Sequence, residues 1–172
     1  INESYYNLGG SSFYQSYNMI GNDYPIIRNK YKLLKTFEII QNLIKNKFIL
    51  SGHDISDGGF ITTLIEMSIS SNIGINLDTP TDIHIDNYLF NEEIGIIIEI
   101  NPKFLQYIQN IFYKYNINIT NIGSTNNTDF IEIYHNNKSV FKEKINDVRK
   151  EWEYISYKLE KLQCDIDCVE EE

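Results

Sequence analysis

The sequence predicts an α+β domain: a mixed, partly antiparallel sheet flanked by helices. Three observations carry this. Helix-like and strand-like periodicities are interspersed along the chain rather than segregated. The stretch "FIEIYHNNKSVFKEKI" sets two short strands around an Asn-Asn turn, a hairpin that a purely parallel doubly wound sheet would not contain. Finally, 172 residues with 42% hydrophobic and 13% aromatic content suffice for one domain with a substantial core.

Taken in order, "LGGSSFYQSYNMIGND" reads as a Gly-Gly turn, an N-cap at Ser11 or Ser12 and a short helix ending near Gly21. Pro25 then breaks the chain. "KYKLLKTFEIIQNLIKNKF" places Leu33, Leu34, Phe37, Ile40, Leu43 and Ile44 at helical spacing, with lysines and Glu38 opposite. "FILSGHD" is a short strand that delivers His53 and Asp54 at its C-terminal end. After Gly58 and Gly59, "FITTLIEMSISSN" suits a helix that starts at the double glycine. "IGINLD" alternates like a strand, and "GIIIEI" is a stronger one closed by Asn101 and Pro102. "KFLQYIQNIFYKYN" returns to helical periodicity, followed by short strands between "GSTNNTD" and "HNNKS". The terminal "NDVRKEWEYISYKLEKLQ" predicts a long helix with Val148, Trp152, Ile155 and Leu159 on one stripe.

Composition excludes several classes of function. A net charge of -9 argues against nucleic acid, because binding a phosphate backbone needs a basic patch. No apolar run approaches the roughly 20 residues needed to cross a bilayer, which predicts a soluble, cytoplasmic protein with no membrane partner. The chain begins at Ile1 without an initiator Met or a signal-like segment, so it reads as a piece of something longer. Cys164 and Cys168 have no histidine or second cysteine pair nearby in sequence to complete a zinc site, and are expected to be reduced thiols.

The segment "HDISDGG" is the candidate site. A strand end, a glycine-rich turn and a helix start present backbone N–H groups and the positive end of a helix dipole, which together suit an anion. Asp54 and Asp57 are hard oxygen ligands, and a carboxylate beside bound phosphates is how proteins hold Mg2+ on a nucleotide. Ser56 is placed to donate to a phosphate or ribose oxygen. The plainer alternative makes Asp57 a helix cap, Ser56 a turn residue and His53 a partly buried ring bonded to backbone. His53 next to Asp54 also suggests a catalytic pair, but neighbours on a strand point to opposite faces, which discounts it. Glu92 and Glu93 are two further carboxylates suited to binding a metal or orienting a partner, but charges leading into an apolar strand read more readily as a solvated turn. Glu66, within the apolar part of its helix, reads as a paired carboxylate. "LGGSS" is a second, weaker anion-binding turn.

The blocks "LGGSSFYQSYNMIGN", "HDISDGGFITTLIEM", "IGINLD", "LFNEEIGIIIEI" and "FKEKINDVRKEWEYISYKLEKLQCDIDC" resemble, in that order, the large single-chain form of phosphoribosylformylglycinamidine synthase. The resemblance covers almost the whole chain. It implies that residues 1–163 are the second of two C-terminal half-domains of the synthetase core, like the C-terminal domain of the aminoimidazole ribonucleotide synthetase superfamily. Its first strand would lie upstream of Ile1, and residues 164–172 would form an acidic tail leading to a glutaminase domain. The family makes an amidine in purine biosynthesis, using ATP and ammonia from glutamine. Carried across, Asp54 matches a magnesium ligand and Ser56 a contact to ATP or ADP, while no residue of this chain matches a catalytic one. The matching loop belongs to an auxiliary nucleotide site in the large form, so the alternative is a non-catalytic scaffold holding a structural Mg-nucleotide. The implied partners are the remaining synthetase half-domains and the glutaminase domain of the same chain.

Two departures bear on this. Ile55 stands where the family commonly has arginine or valine, which leaves the flanking oxygen ligands intact. Neither Cys164 nor Cys168 has the surroundings of the glutaminase nucleophile. Related synthetases of the superfamily, including aminoimidazole ribonucleotide synthetase and selenophosphate synthetase, are disfavoured by the Leu-Phe-x-Glu-Glu block and the Trp-containing tail.

Overall fold

A computed structural model describes residues 5–170. Two sheets form where one was expected. The first is an antiparallel ribbon of β1 (Ile49–Asp54) and β3 (Ile96–Ile100). The second has four strands in the order β4 (Gly123–Asn126), β2 (Gly74–Asp78), β5 (Phe130–His135) and β6 (Lys138–Lys144). Within it β2 and β5 run parallel, and the other two pairings are antiparallel. The fold class is therefore as predicted, mixed and partly antiparallel. The Asn-Asn hairpin is present, with Asn136 at φ 52 and Asn137 at φ 60, the pair of positive φ values that a tight two-residue β-turn requires.

The helices cover the sheets. α1 (Ser12–Ser16) is capped by Ser11, whose side chain accepts from the Tyr14 N–H, and it ends well short of Gly21. α2 (Lys30–Lys45) starts at Asn29, whose side chain accepts from the Lys32 N–H. α3 (Gly59–Ser71) begins at the double glycine. α4 (Ile85–Phe90) has no counterpart among the expected elements, since six residues are too few to show a period. A 3-10 turn, Pro102–Phe104, leads into α5 (Leu105–Tyr113). α6 (Ile145–Gln163) and the short α7 (Ile166–Glu170) complete the chain.

Two cores result. Phe60 and Leu64 of α3, with Tyr88 and Leu89 of α4, pack on Ile75, Leu77 and Ile133 of the four-stranded sheet. Ile39, Ile40 and Leu43 of α2 pack with Ile108 and Phe112 of α5 against the β1–β3 ribbon. Strand β3 serves both, because alternate residues of a strand point to opposite faces. Ile97 joins the first core, while Ile96, Ile98 and Ile100 join the second. Each fully buried side chain of this kind stabilises by about 1.5–3 kcal/mol.

Two predicted stripes are placed differently. On α2 the buried set is Thr36, Ile39, Ile40 and Leu43, while Leu34, Phe37 and Ile44 are exposed. The face is set by where α5 lies, which the spacing within α2 does not encode. On α6 only the start is anchored: Ile145 is buried, Val148 packs against Ile69 and Ile131, and the Arg149 guanidinium donates to the Ile69 carbonyl. Trp152, Ile155 and Leu159 are exposed, so the stripe does not join the buried clusters.

Candidate functional site

Strand β1 carries the chain to Asp54, and the ladder continues one step further where the Ile55 N–H donates to the Gly95 carbonyl at 2.8 Å. Ser56 and Asp57 follow as an exposed turn. Gly58 (φ 81) and Gly59 (φ 75) then swing the backbone through the left-handed region into α3. Glycine is needed at position 59 for a second reason. A Cβ there would lie 2.6 Å from the Phe90 carbonyl carbon and 2.7 Å from the Asn91 oxygen. The double glycine therefore lets the loop press directly on the backbone that ends α4.

Asp57 does not cap α3. The N-cap is Gly58, and no side chain of its own turn bonds there. Instead the Gly58 N–H donates to Glu92 Oε1 at 2.7 Å, and the same oxygen accepts the Ser12 N–H at 2.8 Å. The N–H groups expected to cradle an anion are thus partly engaged by a carboxylate of the chain itself. Glu93, only 2% exposed, accepts from Arg28 and from the Tyr5 N–H at 2.9 Å. The solvated-turn reading of Glu92 and Glu93 is therefore wrong. Each is an anchor, and together they hold the N-terminal segment against the loop.

The expected ligand residues stand apart from these anchors. The Asp54 side chain is 77% exposed at the end of β1, and Ser56 is exposed in the turn. Asp54 and Ile55 also line a cavity of about 450 Å³ with an apolar wall of Ile26, Ile27, Leu33, Phe37 and Ile94; Arg28, Lys32 and Glu93 line it too. His53 turns away from a catalytic pairing: its Nδ1–H donates to the Asp54 carbonyl at 2.7 Å, and its Nε2 faces Glu66 Oε2 at 3.3 Å. Glu66 is half-buried on α3, with the His53 ring as its neighbour.

Asp54 fits magnesium in one respect. An exposed carboxylate at a glycine turn is the usual protein share of a Mg-nucleotide site, where phosphates and water fill the other positions. Among the described residues no three His, Cys, Asp or Glu side chains stand close enough to hold a metal alone. A cation here would depend on oxygen ligands from a nucleotide or from beyond these residues. Cys164 and Cys168 are exposed free thiols.

The roles of Glu92, Glu93 and Arg28 were missed in the sequence. One signal existed: arginine occurs only at positions 28 and 149 in a chain that otherwise uses lysine. An arginine in a chain that otherwise uses lysine points to a forked, partly buried partner.

Residues 4–136 match the family described as AIR synthase related protein, C-terminal domain. The chain is 37% identical to phosphoribosylformylglycinamidine synthase of Dictyostelium discoideum, over 96% of its own length and 14% of that protein. It is 36% identical to the probable chloroplastic/mitochondrial phosphoribosylformylglycinamidine synthase of Arabidopsis thaliana, with 96% and 12% covered. The human phosphoribosylformylglycinamidine synthase is 30% identical, with 96% and 13% covered. The chain thus spans 12–14% of the length of these relatives. Among solved structures, PurL of Thermotoga maritima in complex with ATP superposes with a TM-score of 0.60 at 13% identity, covering 66% of this chain and 21% of that one. The same protein complexed with FGAR gives 0.59, with 66% and 20% covered. At such identity these structures show the fold.

Proposed function

The chain belongs to the AIR synthase related protein C-terminal domain family, and on that premise we propose that it is one domain of a phosphoribosylformylglycinamidine synthase. The whole enzyme would be a cytoplasmic carbon-nitrogen ligase of purine biosynthesis. ATP phosphorylates the amide oxygen of formylglycinamide ribonucleotide, and ammonia released from glutamine displaces phosphate to leave the amidine. Residues 1–163 act as the synthetase-type half-domain and 164–172 as a tail toward a glutaminase domain. The partners are the other domains of the same chain.

In this reading the "HDISDGG" loop contacts a Mg-nucleotide. Asp54 would hold the cation through its carboxylate, and the Ser56 hydroxyl would donate to the nucleotide. Bound there, magnesium would neutralise phosphate charge. The observation that carries the reading is the open Asp54 carboxylate at the end of β1, beside a glycine turn held rigid from behind and at the wall of a cavity. The fold, shared with a protein solved in complex with ATP and with ADP, supports it.

A second reading is favoured by what the loop lacks. His53 is engaged with the Asp54 carbonyl and faces Glu66, so the imidazole of the loop is not aimed at Ser56 as a base. A scaffold domain holding an auxiliary, structural Mg-nucleotide needs none. Asp54→Ala in the full-length enzyme separates the two. Unchanged thermal stability with lost turnover supports a site coupled to chemistry. Lower stability or loss of bound nucleotide, with turnover preserved in the surviving protein, supports the structural nucleotide. No change in binding, stability or turnover would remove Asp54 from the site altogether.

A further inference from the structure

The three motifs that flank the candidate site meet at one atom, Glu92 Oε1, which accepts the Gly58 N–H of "HDISDGG" and the Ser12 N–H of "LGGSS". We propose that Glu92 is the positioning residue of the nucleotide loop: it fixes where Asp54 and Ser56 stand without touching the ligand itself. This rests on the reading of Asp54 and Ser56 as metal and nucleotide contacts.

The loop is held at two ends and free between them. At its start the β1–β3 ladder pairs Asp54 with Ile96, and the Ile55 N–H bonds to the Gly95 carbonyl. At its end the Gly58 N–H bonds to Glu92, only three residues before Gly95 in the same segment. Ser56 and Asp57 span the gap, where among the described residues the Ser56 carbonyl is tied to the Gly59 N–H at 3.0 Å. Two chain segments thus run side by side and are stapled at matching points. Removing the second staple leaves the Asp54 end defined and the Ser56 end loose.

Glu92 is itself held firmly enough for this task. Asn91 is 1% exposed, and its side-chain amide donates to the Asn87 and Tyr88 carbonyls, closing α4. Phe90 stacks on Phe13 at 4.4 Å with ring planes 14° apart, so α1 and α4 are locked together where Ser12 and Glu92 bond. Gly59 lies directly on the Phe90–Asn91 backbone. A carboxylate also suits its place electrostatically, because it lies at the N-terminus of the thirteen-residue α3, where the helix dipole favours negative charge. Since its oxygen is engaged by two backbone donors, Glu92 serves as an anchor rather than a metal ligand.

The test uses the full-length enzyme and titrates Mg-ADP calorimetrically into the parent and into Asp54→Ala, Glu92→Ala, Glu92→Gln and Glu92→Asp variants. The quantity read is the part of Mg-ADP binding that Asp54→Ala removes, together with the Mg2+ concentration at half-saturation. Glu92→Ala is expected to weaken that component about tenfold or more, since hydrogen bonds to charged groups are the stronger ones. Glu92→Gln keeps an oxygen acceptor of the same reach and should stay within about threefold of the parent. A residue that merely supports the fold would shift the melting temperature without this ordering of affinities. If Glu92→Ala does not fold, Glu92→Asp, whose shorter arm cannot span both donors, takes its place with the same expectation. Parent-like affinity in the folded Ala or Asp variant, while Asp54→Ala has lost binding, overturns the positioning role. If Asp54→Ala removes no binding, the site reading fails first and this inference falls with it.

Discussion

Arg28 and Glu93, separated by 65 residues in sequence, meet in a forked pair: NH1 donates to Oε2 at 3.1 Å and NH2 to Oε1 at 3.0 Å. Glu93 is buried, and the Arg28 guanidinium also lies 4.0 Å above the Tyr5 ring. The pair ties the segment before α2 to the start of β3. Buried ion pairs add little net stability over an apolar isostere, yet removing one partner strands the other charge. Glu93→Ala should therefore destabilise the fold by about 3–5 kcal/mol in urea unfolding, and the double variant Arg28→Met, Glu93→Leu should recover most of that loss. A Glu93→Ala chain as stable as the parent would show that the pair is not holding this segment.

The two glycine turns differ in a way that alanine can read. Gly10 and Gly59 have nearly the same backbone, φ 76 and φ 75, but a Cβ at Gly10 meets nothing within 4 Å whereas one at Gly59 overlaps the Phe90 carbonyl. Gly10→Ala should carry only the left-handed strain, about 1–2 kcal/mol. Gly59→Ala adds a backbone collision and should lose about 1–3 kcal/mol beyond that. Equal thermal shifts for the two would mean that the loop and the end of α4 are not in contact.

Burial, and second the neighbouring Tyr6, pushes the Tyr88 hydroxyl up to about 12. An unfolded tyrosine ionises near 10. Below that value both states keep the proton and stability is unaffected. Between the two values the unfolded chain has released the proton and the fold retains it, so stability falls as pH rises, by about 1.4 kcal/mol per pH unit. The fall ends once pH passes the folded value. Denaturant melts of the parent and of Tyr88→Phe across this alkaline range should diverge in slope. A difference independent of pH would refute the buried-tyrosine origin.

The chain on its own presents two exposed carboxylates, Asp54 and Asp57, and an exposed serine at the candidate site, with no metal-binding group of three side chains among the described residues, so it should bind Mg-ATP weakly or not at all. Calorimetry on residues 1–172 is expected to show no saturation at low micromolar nucleotide, on the order of the 8 kcal/mol that a micromolar complex requires. Submicromolar binding would mean that this domain alone completes a nucleotide site.

Much of the fold was legible because its signals are local. The periodicities of α2, α3 and α5, the alternation of β2 and the Asn136-Asn137 turn each lie within a few residues, and each element formed where its pattern placed it. The glycine turn was readable for the same reason, whereas the roles of Asp54 and Ser56 come from the resemblance and are a proposal. What the chain did not disclose is what distant segments do to one another. The division into two sheets depends on β2 pairing with β5, where Ile75 meets Ile131. The exposed faces of α2 and α6 depend on which neighbours cover them, and α4 is too short to announce itself.

The two adjacent glutamates show the boundary most clearly. By residue type and setting, Glu92 and Glu93 belong in a solvated turn. By itself the sequence determined that two carboxylates stand before an apolar strand. Only the tertiary structure decided that one binds Gly58 and Ser12 and the other Arg28 and Tyr5, partners 34 to 88 residues away. A hydrogen bond between remote segments leaves no period and no composition bias, and a carboxylate is buried or solvated according to the donors that reach it.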